Sequence, residues 1–78
     1  MNAEEDQKIK QLLAADASAA QQQQALSWLA DYCEESYILN LPPSTAALAA
    51  LNTFSNKTKI NALLKRRAVT VVKQYKLR

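Results

Sequence analysis

The sequence predicts an all-α fold, a small four-helix domain without strands. Three observations predict it. Apolar residues recur at helical spacing in four segments, Ser or Asn stands where helix N-caps are expected, and Pro42-Pro43 is the strongest helix-breaking pair. The 78 residues include no glycine and are 49% hydrophobic, which is typical of a folded chain. Because a chain of this length forms one domain at most, we expect residues 1–78 to be a single helical domain.

Capping boxes mark the start of the first two helices. In this motif a capping residue is followed three positions later by Glu or Gln, the spacing of Asn2 with Glu5 and of Ser18 with Gln21. These signals predict helices over about residues 3–14 and 19–35. Each segment carries one apolar stripe: Ile9, Leu12 and Leu13 in the first, and Ala25, Leu29, Tyr32 and Cys33, flanked by Leu26 and Trp28, in the second.

A proline-containing break and a short third helix follow. The segment 36–43 ends in Pro42-Pro43, which cannot continue a helix, and four of its residues are large and apolar: Tyr37, Ile38, Leu39 and Leu41. We expect this connection to fold back over the core; the alternative is an exposed surface that binds a partner. Ser44 then predicts the cap of an alanine-rich helix over about residues 45–52, with Leu48 and Leu51 facing inward.

The last helix is predicted over about residues 57–75, with its cap at Ser55-Asn56. At about 100° per residue, one arc is apolar and contains Ile60, Leu64, Ala68, Val71, Val72 and Tyr75. The opposite arc is basic and contains Lys59, Lys65, Arg66, Lys73 and Lys76. Arg67 falls at the edge of the apolar arc. The segment therefore predicts an amphipathic helix with a strongly basic outer side.

The charges of the chain are separated along its length. All seven acidic residues lie in the first 35 positions, and eight of the ten basic residues lie in the last 22. The net charge of +3 therefore combines a surplus of five negative charges before Phe54 with eight positive charges after it. A basic amphipathic segment is typical of a surface that binds phosphate, in nucleic acid or at a membrane, or of one that docks on an acidic protein.

The composition excludes several kinds of chemistry. Without glycine there is no phosphate-cradling loop, and without histidine and with one cysteine there is neither an ordinary zinc site nor a Ser-His or Cys-His nucleophile. We therefore expect no enzymatic activity, no catalytic residues, no metal and no cofactor. No apolar run is long enough to span a bilayer, no secretory signal is present, and Cys33 has no disulfide partner. A cytoplasmic protein is expected.

Duplex DNA is the partner that the basic helix favours. A solvated surface helix usually mixes charge signs, whereas no acidic residue follows Glu35. Thr58, Asn61 and Gln74 add neutral hydrogen-bonding groups. Single-strand stacking is disfavoured because the basic side carries almost no aromatic residue. A membrane surface is disfavoured because the apolar side lacks Trp and Phe anchors and is needed by the core.

Four segments give the chain a family resemblance. They are 29–35, with Tyr32-Cys33 near a helix end; 42–44, a Pro-Pro-Ser loop; 48–51, in a short helix; and 56–60, which opens the last helix. In these features the chain from about Ala25 onward resembles the core-binding, SAM-like domain of tyrosine recombinases and phage integrases, without their catalytic domain. The resemblance implies a helical DNA clamp, with these residues facing DNA: Lys57, Thr58, Lys59, Lys65 and Arg66.

Two hypotheses follow. The first is a non-enzymatic DNA-binding protein, an accessory or regulatory factor of site-specific recombination on a mobile element. Its acidic N-terminal half either contacts a recombinase or another protein or serves only as solubilising charge. Its DNA-binding residues are predicted to be Lys57, Thr58, Lys59, Lys65, Arg66, Lys73 and Lys76. The alternative is a phage-type adaptor or inhibitor whose basic helix docks on an acidic protein surface or a recombinase. Homo-oligomerisation is compatible with either.

Overall fold

Four α-helices form the protein in the computed structural model, which describes residues 3–42 and 44–76, the side chain of residue 76 excepted. The helices are α1 (Ala3–Leu13), α2 (Ala19–Ile38), α3 (Thr45–Ser55) and α4 (Ala62–Lys76). No strand occurs in the described part of the chain. The all-α, four-helix fold class predicted from the sequence is confirmed.

The helices are arranged so that α2 and α3 separate α1 from α4. Helix α1 packs on α2 and α3, α4 packs on α3 and α2, and no contact joins α1 to α4. The radius of gyration is 11.6 Å, close to the value of about 11.5 Å expected for a folded chain of this length. The acidic residues of α1 therefore lie away from the basic residues of α4.

One hydrophobic core receives side chains from all four helices. Phe54 is its largest fully buried side chain, and Leu12, Leu26, Leu29 and Leu51 are also fully buried. The predicted stripe of the last helix is confirmed, since five of its members are buried: Leu64, Ala68, Val71, Val72 and Tyr75. Cys33 is buried as the apolar residue that the sequence predicted, whereas Trp28 and Tyr32 stack at 5.2 Å and pack only partly against the core.

Two of the predicted caps are confirmed. Ser18 and Gln21 form a complete capping box at the start of α2. The Ser44 hydroxyl accepts a hydrogen bond from the Ala47 amide at 3.1 Å and donates one to Glu5 at 2.7 Å. Glu5, predicted to cap its own helix with Asn2, is therefore bonded to the cap of α3; Asn2 lies outside the described residues.

Helix α2 extends three residues beyond its predicted end at Glu35, and the apolar connection does not fold over the core. The helix ends in a Schellman motif: the Leu41 amide donates to the Ser36 carbonyl at 2.8 Å, and the Asn40 amide to the Tyr37 carbonyl at 3.0 Å. Asn40 has the left-handed conformation that this motif requires, with φ of 58°. The prediction of a core-covering loop is wrong because the motif directs the chain outward and leaves its large apolar side chains at least half exposed.

The boundary between α3 and α4 also differs from the prediction. Helix α3 continues to Ser55, and this extension places Phe54 in the core. Ser55-Asn56 therefore ends a helix instead of starting one. Helix α4 begins at Ala62, and its true cap is Asn61, whose side-chain oxygen accepts hydrogen bonds from the amides of Leu63 and Leu64. Residues 57–61 therefore form a connection, not the first turns of the last helix.

No helix in the described part of the chain has both the length and the apolar character needed to cross a bilayer.

Candidate nucleic-acid interface

The outer side of α4 presents exposed cations. Lys65, Arg66 and Lys73 are all exposed, and at about 100° per residue they lie on the side of α4 away from its buried stripe. We call these three residues the basic face. Their placement agrees with the sequence prediction. The apolar arc of α4 packs in the core, so the opposite arc faces solvent.

The basic face surrounds a shallow open depression with a small apolar floor. Ala62 and the partly buried Val69 line it together with the three basic residues and Thr70. The Thr70 hydroxyl donates to the Arg66 carbonyl within the helix at 2.9 Å.

Lys57 does not belong to the basic face. Its ammonium donates a hydrogen bond of 2.9 Å to the Leu13 carbonyl, at the C-terminus of α1, and its side chain is partly buried. The helix dipole makes that end of α1 partially negative, so a cation there stabilises the fold. The contact gives Lys57 a structural role that the sequence did not predict, and its contact with DNA stays a prediction.

Thr58 and Lys59 lie on the connection between α3 and α4, and both are exposed. Lys59 has a φ of 60°, in the left-handed region. A non-glycine residue there costs about 1–2 kcal/mol, and Asn or Gly would adopt the conformation more easily. A non-glycine residue held in an unfavourable conformation is the kind of local strain that accumulates at functional sites.

The remaining polar residues of α4 that the sequence singled out lie where α4 meets α2 or at the end of α4. Arg67 donates to the Ser27 hydroxyl of α2 at 3.0 Å and lines a depression at the α2–α4 seam together with Asp31 and Glu34. Gln74 lines the same depression. Lys76 is the last residue of α4, and its side chain falls outside the described part of the structure.

The electrostatics of α4 are unfavourable without a partner. The helix has no acidic residue in its first turn, where acids would stabilise the positive end of the dipole. Instead, Lys65 and Arg66 follow in the N-terminal half, one turn after the Asn61 cap. Phosphate groups on this side would interact favourably with the positive end of the helix dipole and with these cations.

Elsewhere in the described residues there is no group of three or more potential metal-ligating side chains. The Cys33 thiol is buried in the core, and its burial, with a smaller contribution from the charge of Glu5, raises its pKa from 9.0 to about 11. A thiol with so high a pKa is a poor nucleophile at neutral pH.

Comparison with known proteins gives no relative: no protein-family model, no curated protein and no solved structure matches the chain.

Proposed function

We propose that the protein binds duplex DNA through the basic face of α4, with Thr58 and Lys59 of the adjoining connection at its edge. The observation that carries the proposal is the uniform sign of this surface: its cations are exposed, and no acidic residue follows Glu35 in the sequence. Such a surface supplies the sequence-independent phosphate contacts that dominate the affinity of proteins for DNA.

The number of contacts follows from the exposed cations. Lys57 is engaged with α1, so the proposed DNA-binding cations are the exposed Lys59, Lys65, Arg66 and Lys73. If each neutralises one phosphate, log K falls against log salt with a slope of about −3.6 for B-form DNA. A slope of this size requires a binding site that spans several phosphates along the backbone.

We assign the protein an accessory or regulatory role in site-specific recombination on a mobile element as the finer part of this proposal. Its support is the resemblance of residues 29–60 to recombinase core-binding domains, together with the small helical fold. The exposed acids of α1, which has no contact with α4, leave that side available for a recombinase or another protein while α4 holds DNA. Binding to a recombinase, measured with and without DNA, tests this part separately.

The test of DNA binding is fluorescence anisotropy with a random-sequence duplex of about 30 base pairs at several salt concentrations. We expect micromolar binding at low salt and the slope given above. The double variant Lys65→Glu/Arg66→Glu removes two of the four contacts, so its slope should fall to about −1.8 and its affinity at low salt by at least tenfold.

The matched control is Lys8→Glu/Lys10→Glu, which makes the same change in net charge on α1, away from α4. We expect this variant to bind the duplex nearly as well as the wild-type protein does. Circular dichroism tests whether both variants are folded. An equal loss in both would show that only net charge matters, and an absence of wild-type binding at low salt would overturn the proposal.

A second candidate function is an adaptor or inhibitor that docks the same face on an acidic protein. The observation in its favour is the apolar floor formed by Ala62 and Val69, since protein interfaces combine a small apolar centre with a polar rim. Val69→Ser separates the candidates. It should leave duplex affinity within twofold if DNA is the ligand, and weaken a protein complex if the floor is buried in one.

A further inference from the structure

The end of α2 carries a row of exposed apolar side chains. Tyr37, Ile38, Leu39 and Leu41 are 50%, 71%, 58% and 51% exposed. We call these four residues the apolar strip. The other large apolar side chain exposed to this extent in the described structure is Leu63, which lies separately at the start of α4. Neighbouring exposed apolar residues mark interaction sites more often than isolated ones do.

The backbone of the apolar strip is held in place by hydrogen bonds. The Schellman motif bonds the amides of Asn40 and Leu41 back to α2, and the Leu39 amide donates to the Glu35 carbonyl at 2.9 Å. Tyr37 also packs edge-to-face on Tyr75 of α4, with the ring centroids 6.0 Å apart. A surface ordered before binding loses less conformational entropy when a partner binds.

The surroundings of the apolar strip are negative. Glu34 and Glu35 are exposed and precede Ile38 by four and three residues, so all three lie on one side of α2. The last turn of α2 has no basic residue, although the C-terminus of a helix is the partially negative end of its dipole. Arg67 of α4 lines a depression together with Glu34, and its guanidinium donates a hydrogen bond to the Ser27 hydroxyl, whereas Glu35 does not line that depression.

The negative charge around the apolar strip indicates which kind of partner can bind there. An anionic bilayer or a nucleic acid would be repelled by the two glutamates and by the end of the helix. A symmetric dimer that joined strip to strip would bring both pairs of glutamates together. A protein segment with apolar residues on one side and Lys or Arg beside them would satisfy the apolar side chains and the negative charges together.

We propose that the apolar strip, with Glu34 and Glu35, is a docking site for a basic amphipathic helix of a partner protein. The partner's apolar residues cover Ile38, Leu39 and Leu41, and its cations lie over the glutamates and the C-terminal carbonyls of α2. This site is separate from the basic face, so its existence does not depend on DNA binding by α4.

The test uses a synthetic Leu/Lys amphipathic peptide of about 18 residues, or five helical turns, titrated into the isotope-labelled protein and followed by NMR. A second peptide with Glu in place of every Lys is the charge control. We expect the Lys peptide to shift the resonances of residues 34–41 and to bind at least tenfold more tightly than the Glu peptide.

Two variants locate the site. Ile38→Asn/Leu39→Asn and Glu35→Lys should each weaken binding of the Lys peptide at least fivefold, whereas Leu63→Asn, an equally exposed apolar position elsewhere, should leave it unchanged. Duplex affinity should be the same in all three variants, which keeps this proposal distinguishable from that of DNA binding.

Three results would overturn the proposal: no binding of the Lys peptide, resonance shifts outside residues 34–41, or equal binding of the Glu peptide. Sedimentation equilibrium provides a further check. A wild-type dimer that Ile38→Asn/Leu39→Asn converts to a monomer would assign the apolar strip to a second copy of the chain instead.

Discussion

Lys57 and Glu5 show how single charged side chains join distant parts of this chain. Lys57 bonds the carbonyl of Leu13 at the C-terminus of α1, and Glu5 accepts from Ser44 at the N-terminus of α3. In each case the charge lies at the helix end of opposite partial charge, where such an interaction contributes about 0.3–1 kcal/mol. Both residues therefore stabilise the fold through contacts between distant segments that the sequence did not predict.

The buried thiol of Cys33 makes the stability of the protein depend on pH. Its pKa is raised to about 11 in the folded protein, so between pH 9 and 11 the unfolded chain loses the thiol proton while the folded protein keeps it. The contribution of Cys33 is fully present below pH 9 and is lost as pH rises towards 11. We expect the stability advantage of the wild-type protein over Cys33→Ala to shrink by about 2 kcal/mol across this interval.

Urea denaturation of both proteins at pH 8, 9.5 and 11 measures this change. Other groups titrate in the same range, but they are common to both proteins and cancel in the difference. A constant difference between wild type and Cys33→Ala would show that the thiol has an ordinary pKa.

The connection between α3 and α4 is the element for which sequence periodicity was least informative. A continuous helix from Lys57 was predicted because Ile60 fits the spacing of the apolar stripe, and Ile60 does pack against the core. It does so from a non-helical segment, since α3 extends to bury Phe54 and the chain then turns at Lys59. The spacing of apolar residues thus predicted which side chains face the core, but it did not predict the secondary structure of the segment that contains them.

Substitution of Lys59 is expected to change both the stability of the protein and its binding to duplex DNA. Because Asn adopts the left-handed conformation more readily than Lys, Lys59→Asn should stabilise the protein, by up to about 1 kcal/mol. If Lys59 contacts phosphate as proposed, the same change removes that contact, and the salt slope of duplex binding should become less steep by about 0.9. Urea denaturation and anisotropy titrations measure the two effects on one preparation.

Lys59→Val is the control for conformation, because a β-branched residue is strongly disfavoured at positive φ and should destabilise the protein. An unchanged salt slope in Lys59→Asn would remove Lys59 from the DNA-binding surface.

At the scale of the whole molecule, stability depends on one core shared by four short helices. Phe54 lies within it, fully buried. We expect Phe54→Ala to cost about 3–5 kcal/mol, which is most of the stability of a domain this small. Leu63→Ala, at a position that is 73% exposed, should change stability by less than about 0.5 kcal/mol.

Thermal unfolding monitored by circular dichroism compares the two variants. Equal melting temperatures for Phe54→Ala and Leu63→Ala would contradict the assignment of Phe54 to the core.

The sequence by itself determined the all-α class, the capping of α2 and α3, the inward stripe of α4 and the separation of charge along the chain. These features depend on residues close in sequence, because helical periodicity and capping are local. The exposed positions of Lys65, Arg66 and Lys73 followed from the same periodicity.

Only the tertiary structure decided which of these residues are exposed to solvent. The contact of Lys57 with α1, the left-handed conformation of Lys59 and the outward path of the apolar strip arise from how distant segments meet. The local pattern could not reveal them because burial of Phe54 and closure of the core outweigh the preferences of the connecting residues. Whether a cation or an apolar side chain faces solvent is thus settled by packing across the whole molecule.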